Sequence, residues 1–241
     1  MLGGGALYSA QQVPPIPQEV IGPDGETVAT QSQVQDGKVA FQQNSLMNHG
    51  SILGNGAYYG VDYTADTLDL KVEHVREYYA QERHETAYTD LKPAEQGGID
   101  RLVEDDLDEQ FTEGAETIEY SAPEVYAHEQ VRDEYAQRYH EGSLERGVPA
   151  DFIGSEEEAR QFADFALWTA WISHTDRPRS DTSFTNEWPY NPDAGNTPTG
   201  ATMIWSVISM VLLVGAVGVG VFMAHGTAAH ELAVSIRNTT D

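Results

Sequence analysis

The sequence predicts a mainly α-helical fold, a small helical domain followed by a single transmembrane helix. Two kinds of observation predict it. Helix-start signals, such as Ser121-Ala122-Pro123-Glu124 and Ser155-Glu156-Glu157-Glu158, stand ahead of segments whose apolar residues repeat at helical spacing. Near the C-terminal end, Met203 to Ala224 runs without a charged residue, and about 20 such residues cross a bilayer core. The 241 residues suffice for one domain of ordinary size and some extra length.

The elements follow in order. Residues 12–35 are rich in Gln, Pro and Gly. Val13-Pro14-Pro15-Ile16-Pro17 favours polyproline conformation and Pro23-Asp24-Gly25 reads as a turn, so residues 1–35 are expected to form an extended arm with one hairpin. The helical domain is expected over residues 36–181. Asp36 is placed to cap a helix running to about His49, with Gly50 as its stop. After a glycine-rich loop, Thr64 or Asp66 opens a second helix, with Leu68, Val72, Val75 and Tyr79 on one face and an end near Arg83. Ile99, Leu102, Val103, Leu107 and Phe111 share a face of a third, over residues 99–112. A short extended piece follows around residues 117–120.

Ser121 then caps a helix to about His140, with Val125, Val131 and Tyr135 as core positions, helped by Pro123 early in the first turn. Ser155 caps the last helix of the domain, whose stripe is Phe162, Phe165, Trp168, Ala170 and Trp171. Residues 182–202 form an aromatic linker carrying Phe184, Trp188 and Tyr190. Such residues above a membrane span point either to interfacial anchoring or to packing against another part of a larger protein. The transmembrane helix is expected over residues 203–224, with Trp205 at an interfacial position and Gly215, Gly218 and Gly220 forming a small-residue face. Residues 225–241 form an atypical tail. The N-terminus, MLGGGALYSAQQVPP, has no basic region and too short an apolar stretch for a signal peptide. Either the domain stays cytoplasmic or a further segment precedes it.

Composition narrows the function. Asp plus Glu number 39 against 13 Lys plus Arg, a formal net charge of -26. Such a surface repels nucleic acid and anionic lipid headgroups, both of which need cationic contacts. It suits solubility in high salt, or an acidic docking surface for a cationic partner. Without a cysteine, disulfides, thiolate metal sites and cysteine nucleophiles are excluded together. No phosphate loop, GxSxG, HExxH or EF-hand loop is present. The acidic runs Glu104-Asp105-Asp106 and Glu156 to Glu158 belong to helix surfaces or a helix start. His74, His84, His128, His140 and His174 lack ligand spacing and are expected on the surface. His225 and His230, five apart, do not share a helical face as a metal pair would. No catalytic residue is assigned.

Three blocks carry a resemblance: GKVAFQQNSLMNHGSILGNGAYYGVDYTAD (37–66), FALWTAWISHTDRPRSDTSFTNEWPYNPDAGNTPTG (165–200) and the apolar span, with PPIP (14–17) ahead of them. Together they resemble the N-terminal part of quinol-dependent nitric oxide reductases, members of the haem-copper oxidase superfamily. The resemblance implies that residues 36–181 form an extracytoplasmic domain like the cytochrome c subunit of the cytochrome-dependent relatives. Laid on their CxxCH motif without gaps, the two cysteine positions fall on Leu46 and His49 and the histidine position on Gly50. His49 is therefore out of register, and the implied domain keeps a cytochrome c-like scaffold without covalent haem.

The same resemblance implies that electrons arrive from membrane quinol and that two NO become N2O. It implies a calcium bridge in which Gly56 and Tyr58 supply two oxygen ligands and the catalytic part the rest. Haem b, the catalytic haem and the non-haem iron are expected in a haem-bearing bundle of further transmembrane helices, the partner of this domain. Arg177 and Arg179 are placed to meet lipid headgroups or haem propionates. The ending HGTAAHELAVSIRNTTD departs from the family pattern and looks like a truncation, a split gene or a shifted frame. The expected chain is inactive alone, lies in the cell membrane and serves denitrification in a salt-adapted organism. The alternative is a membrane-anchored acidic binding module without a redox role.

Overall fold

The computed structural model describes residues 13–56 and 59–240, with side chains described as far as residue 226. The chain falls into two units, Met1–Thr197 and Pro198–Asp241. The first is the helical domain. Its N-terminal strands β1 (Glu19–Ile21) and β2 (Thr27–Thr30) pair antiparallel across the predicted Pro23-Asp24-Gly25 turn. Strand β3 (Thr117–Glu119) joins β1 in parallel, giving the order β2-β1-β3.

The predicted helices form, but several ends move. Helix α1 is Gln31–Gln43, not the segment from Asp36 to His49. Thr30 and Gln33 make a reciprocal capping box, which satisfies two amide groups where Asp36 alone would satisfy one. After α1 the chain turns at Ser45 (φ 57°) into a short 3-10 turn, Leu46–Asn48. Helix α2 (Tyr63–His84) is capped by Asp62, whose carboxylate accepts from Thr64 N and Ala65 N. Helix α3 is Pro93–Leu107, six residues earlier than expected at its start, because Pro93 opens the first turn and Glu95 accepts the Lys92 amide. Phe111 leaves the helix, and its N–H donates to Asp176 O.

Helix α4 (Ala122–Ala136) carries the Ser121–Glu124 capping box and runs on through a π-turn, Gln137–Glu141. Helix α5 (Glu156–His174) starts where Ser155 predicts. It is buried along most of its length, because α1, α2 and α4 all pack on it. Leu68, Val72, Val75, Ile99, Val103, Leu107, Val131, Tyr135, Phe162 and Trp171 are buried as their spacing requires. Gly37 lets α1 and α5 meet: a Cβ there would lie 1.8 Å from Gln161 O.

In the second unit, Thr199 accepts from Thr202 N at the start of α6 (Gly200–Thr240). Residues Gly200–Gly226 have a mean hydropathy of 2.5, long and apolar enough to cross a membrane. This stretch encloses the predicted span.

Candidate functional site

The positions matched to the haem-attachment motif lie over an aromatic interior. Leu46 is fully buried, and its carbonyl accepts from Tyr63 OH at 3.3 Å. Gly50 sits on the Tyr63 ring so closely that a Cβ would lie 2.4 Å from Cζ. Behind it, Phe162 packs against Phe41, Tyr63, Tyr135 and Tyr139, with ring centroids 5.1–6.1 Å apart. Burial, above all, raises the pKa of Tyr63, Tyr135 and Tyr139, so these phenols stay neutral. A histidine at Gly50 would have to enter space that Tyr63 fills. With no cysteine to bond a haem, these residues do not fit a covalently attached one. His49 faces the Phe152 ring at 4.6 Å.

The glycine-rich loop is held from below by Asp62, whose carboxylate accepts from Ser51 Oγ (2.5 Å) and Gly54 N (2.9 Å). Gly56 is exposed with φ +79°, a conformation that favours glycine. Tyr58, its predicted companion, lies outside the described residues. Among the described residues no group of three His, Asp or Glu could hold a metal ion.

The aromatic segment after α5 is anchored on its own domain. Phe184 packs with Phe111 and Trp171. Asn196 donates through Nδ2 to Ser173 O and Pro189 O, and Asn191 donates to Asp69. Arg76 reaches Asp193 at 2.9 Å. Trp188 comes close enough to the glycine-rich loop that a Cβ at Gly54 would lie 3.1 Å from its ring. The two most distinctive stretches of sequence thus share one face, with Leu53 38 % exposed and Tyr190 69 % exposed.

Two buried polar clusters are not legible from spacing. In the first, Lys71 Nζ donates to Glu124 Oε1 at 2.8 Å and to His174 Nε2 at 3.2 Å, and lies 4.7 Å from the centre of the Tyr120 ring. His174 Nδ1 donates to Leu107 O. Burial opposes the Lys71 charge most strongly, but Glu124, Tyr120 and Glu109 together more than offset it, so the lysine pKa stays above its ordinary value. Burial and the Lys71 charge drive the His174 pKa well down, leaving a neutral imidazole. In the second cluster, His128 Nε2 bonds Asp164 Oδ1 at 3.0 Å and Arg132 Nε approaches the same oxygen at 3.3 Å. His128 and His174 are therefore buried, at 2 % and 6 % exposure, not on the surface as expected. Their helices are lined on several faces, and a lone histidine carries no sequence signal for the carboxylate that will meet it.

One cleft concentrates the negative charge. Glu104, Asp105, Asp108, Asp176, Asp181 and Glu187 line it, with Arg101 as the cation among them. Burial and then the charges of Glu187, Asp108 and Asp181 push the Asp176 pKa up to about 6. The unfolded chain releases that proton near 3.8, so the folded state binds more protons between these values and loses stability as pH rises through them. Asp176→Asn should stabilise the domain by about 1 kcal/mol at pH 7, allowing for solvent screening, and by nothing at pH 3. Thermal melts across that range check both, and added salt should shrink the gain.

A family model described as the cytochrome c-like domain of the nitric oxide reductase NorB matches residues 17–190. No curated protein matches the chain.

Proposed function

The chain belongs to the NorB family of nitric oxide reductases through its cytochrome c-like domain, and from that premise we propose that it is the N-terminal part of a quinol-oxidising nitric oxide reductase. The reaction of the assembled enzyme is 2 NO + QH2 → N2O + H2O + Q. The observation that carries the quinol reading is the interior under Leu46–Gly50. Where the cytochrome-dependent relatives attach a haem, this domain packs Tyr63 and Phe162. A domain so filled cannot relay electrons from a soluble cytochrome, and the donor must reach the membrane core directly.

The domain's own work is then structural. The face shared by the glycine-rich loop and the Trp188 segment packs over a haem-bearing bundle, which supplies haem b, the catalytic haem and the non-haem iron. Gly56 and Tyr58 would supply two oxygen ligands to a calcium ion whose remaining ligands would come from that bundle. The domain lies outside the cytoplasm, the apolar helix Gly200–Gly226 spans the cell membrane, and the chain alone is inactive. The acidic surface suits operation at high ionic strength.

Leu53→Asp with Tyr190→Asp tests the docking face. Both side chains are exposed, so the domain should fold and melt as the parent does. Tagged protein drawn from its own membranes in mild detergent should then carry at least tenfold less haem b and NO-consuming activity, the loss of about 1.4 kcal/mol of binding or more. Undiminished haem b would place the docking face elsewhere.

A further inference from the structure

Of the asparagines in the chain, Asn55 alone is followed by a glycine. The pair stands in the glycine-rich loop, and both residues are exposed. Gly56 has φ +79°, and among the described residues no heavy atom comes within 4 Å of where its Cβ would be. No described residue accepts its amide hydrogen either. Without a side chain, its nitrogen is unshielded and the backbone around it turns freely.

The Asn55 carboxamide is the electrophile beside it. Its Nδ2 donates to Ile52 O at 2.8 Å, a surface bond that water replaces at small net cost. Once that bond is released, nothing among the described residues stands between the side chain and Gly56 N. Other asparagines are held differently. Asn44 donates to Glu158 at 2.8 Å. Asn191 and Asn196 are buried at 6 % and 1 % exposure, and Asn191 precedes Pro192, which has no amide hydrogen to lose.

We propose that Asn55–Gly56 is a modification site, where the chain deamidates itself through a cyclic imide. Gly56 N gives up its proton and attacks Asn55 Cγ. A C–N bond forms, the Cγ–Nδ2 bond breaks, and the side-chain nitrogen leaves as ammonia with the proton that Gly56 N gave up. Water then opens the ring at either carbonyl. One product is aspartate; the other is isoaspartate, in which the backbone runs through Cγ and gains a carbon ahead of Gly56. Either way a neutral amide becomes a carboxylate in the loop. The site rests on the chain's own atoms and stands whatever the domain docks against. Where a partner covers the loop, the step is confined to chains not yet assembled.

The full chain, purified in detergent without a partner, is held at physiological temperature in neutral and in mildly alkaline buffer. Peptide mapping by mass spectrometry, with fragmentation that separates aspartate from isoaspartate, reads the outcome. Loss of the amide at Asn55, largely to isoaspartate, is expected, while Asn44, Asn191 and Asn196 stay intact. The alkaline buffer should speed it, because the attacking nitrogen must lose its proton. Asn55→Gln, whose longer side chain closes a ring less readily, should lose its amide at least about tenfold more slowly. An Asn55 that keeps its amide, or that gives aspartate without isoaspartate as direct hydrolysis would, overturns the assignment. Equal rates for the parent and the Asn55→Gln variant overturn it as well.

Discussion

Lys71→Met should cost the domain about 3–5 kcal/mol, the loss expected when one member of a buried ion pair is removed. Lys71 is 1 % exposed and Glu124 is 5 % exposed. Without the ammonium, the Glu124 carboxylate keeps, among the described residues, the Ser121 amide at 3.0 Å. His174 Nε2 loses its donor at the same time. Chemical denaturation of the full chain in detergent, followed by tryptophan fluorescence, measures the loss. Lys71→Met combined with Glu124→Gln should recover most of it, to within about 1–2 kcal/mol of the parent. The double variant leaves no unpaired charge, and the new amide side chain still accepts from Ser121 N. A single variant costing under about 1 kcal/mol would mean that water reaches the pair.

The second large effect is at Gly37. A Cβ there would lie 1.8 Å from Gln161 O and 2.9 Å from Phe165 Cβ. The first of these is backbone in the middle of α5, so no side-chain rotation relieves it. Gly37→Ala must push α1 off α5, opening the core around Val34, Ala40 and Phe162. Alanine favours a helix over glycine by about 1 kcal/mol, yet the forced separation should outweigh this and leave a net loss of roughly 3 kcal/mol. Gly97→Ala is the control. Gly97 lies within α3 with no atom within 4 Å of a Cβ, so the same substitution there should stabilise. Melting curves of the two variants, run together, should move in opposite directions.

These two sites show how unevenly the sequence declares its structure. The core stripes of α2, α4 and α5 follow from residues repeated every three or four positions, and the caps of α4 and α5 from Ser121 and Ser155. The starts of α1 and α3 are harder to read. Thr30 is preceded by a strand, so its capping box competes with a plausible cap at Asp36. Gly97-Gly98 weakens the helix signal at the front of α3, and packing of Ile99, Val103 and Leu107 overrides it. The aromatic segment at 182–197 shows its unusual composition, but its anchors at Asn191 and Asn196 are buried side chains whose partners are distant in sequence. Lys71, Glu124 and His174 sit on three helices, at positions that each read as surface when taken alone. Long-range charge pairing has no period, and only the fold brings such residues together.

The resemblance read from residues 37–66 and 165–200 is matched by the family model over residues 17–190. Structure adds the reason the scaffold persists without its cofactor. The space beneath the haem-attachment register is filled by rings that pack as a core, so Leu46 and Gly50 are packing positions.

The choice of electron donor tests this account most directly. The chain, drawn from its own membranes in mild detergent together with its haem-bearing partner, is supplied with NO and either a reduced quinol or a reduced soluble cytochrome c. NO consumption with quinol, and none above background with the cytochrome, is the result predicted. Turnover sustained by the cytochrome alone would show that electrons still pass through a soluble carrier, and would contradict a domain built to work without haem.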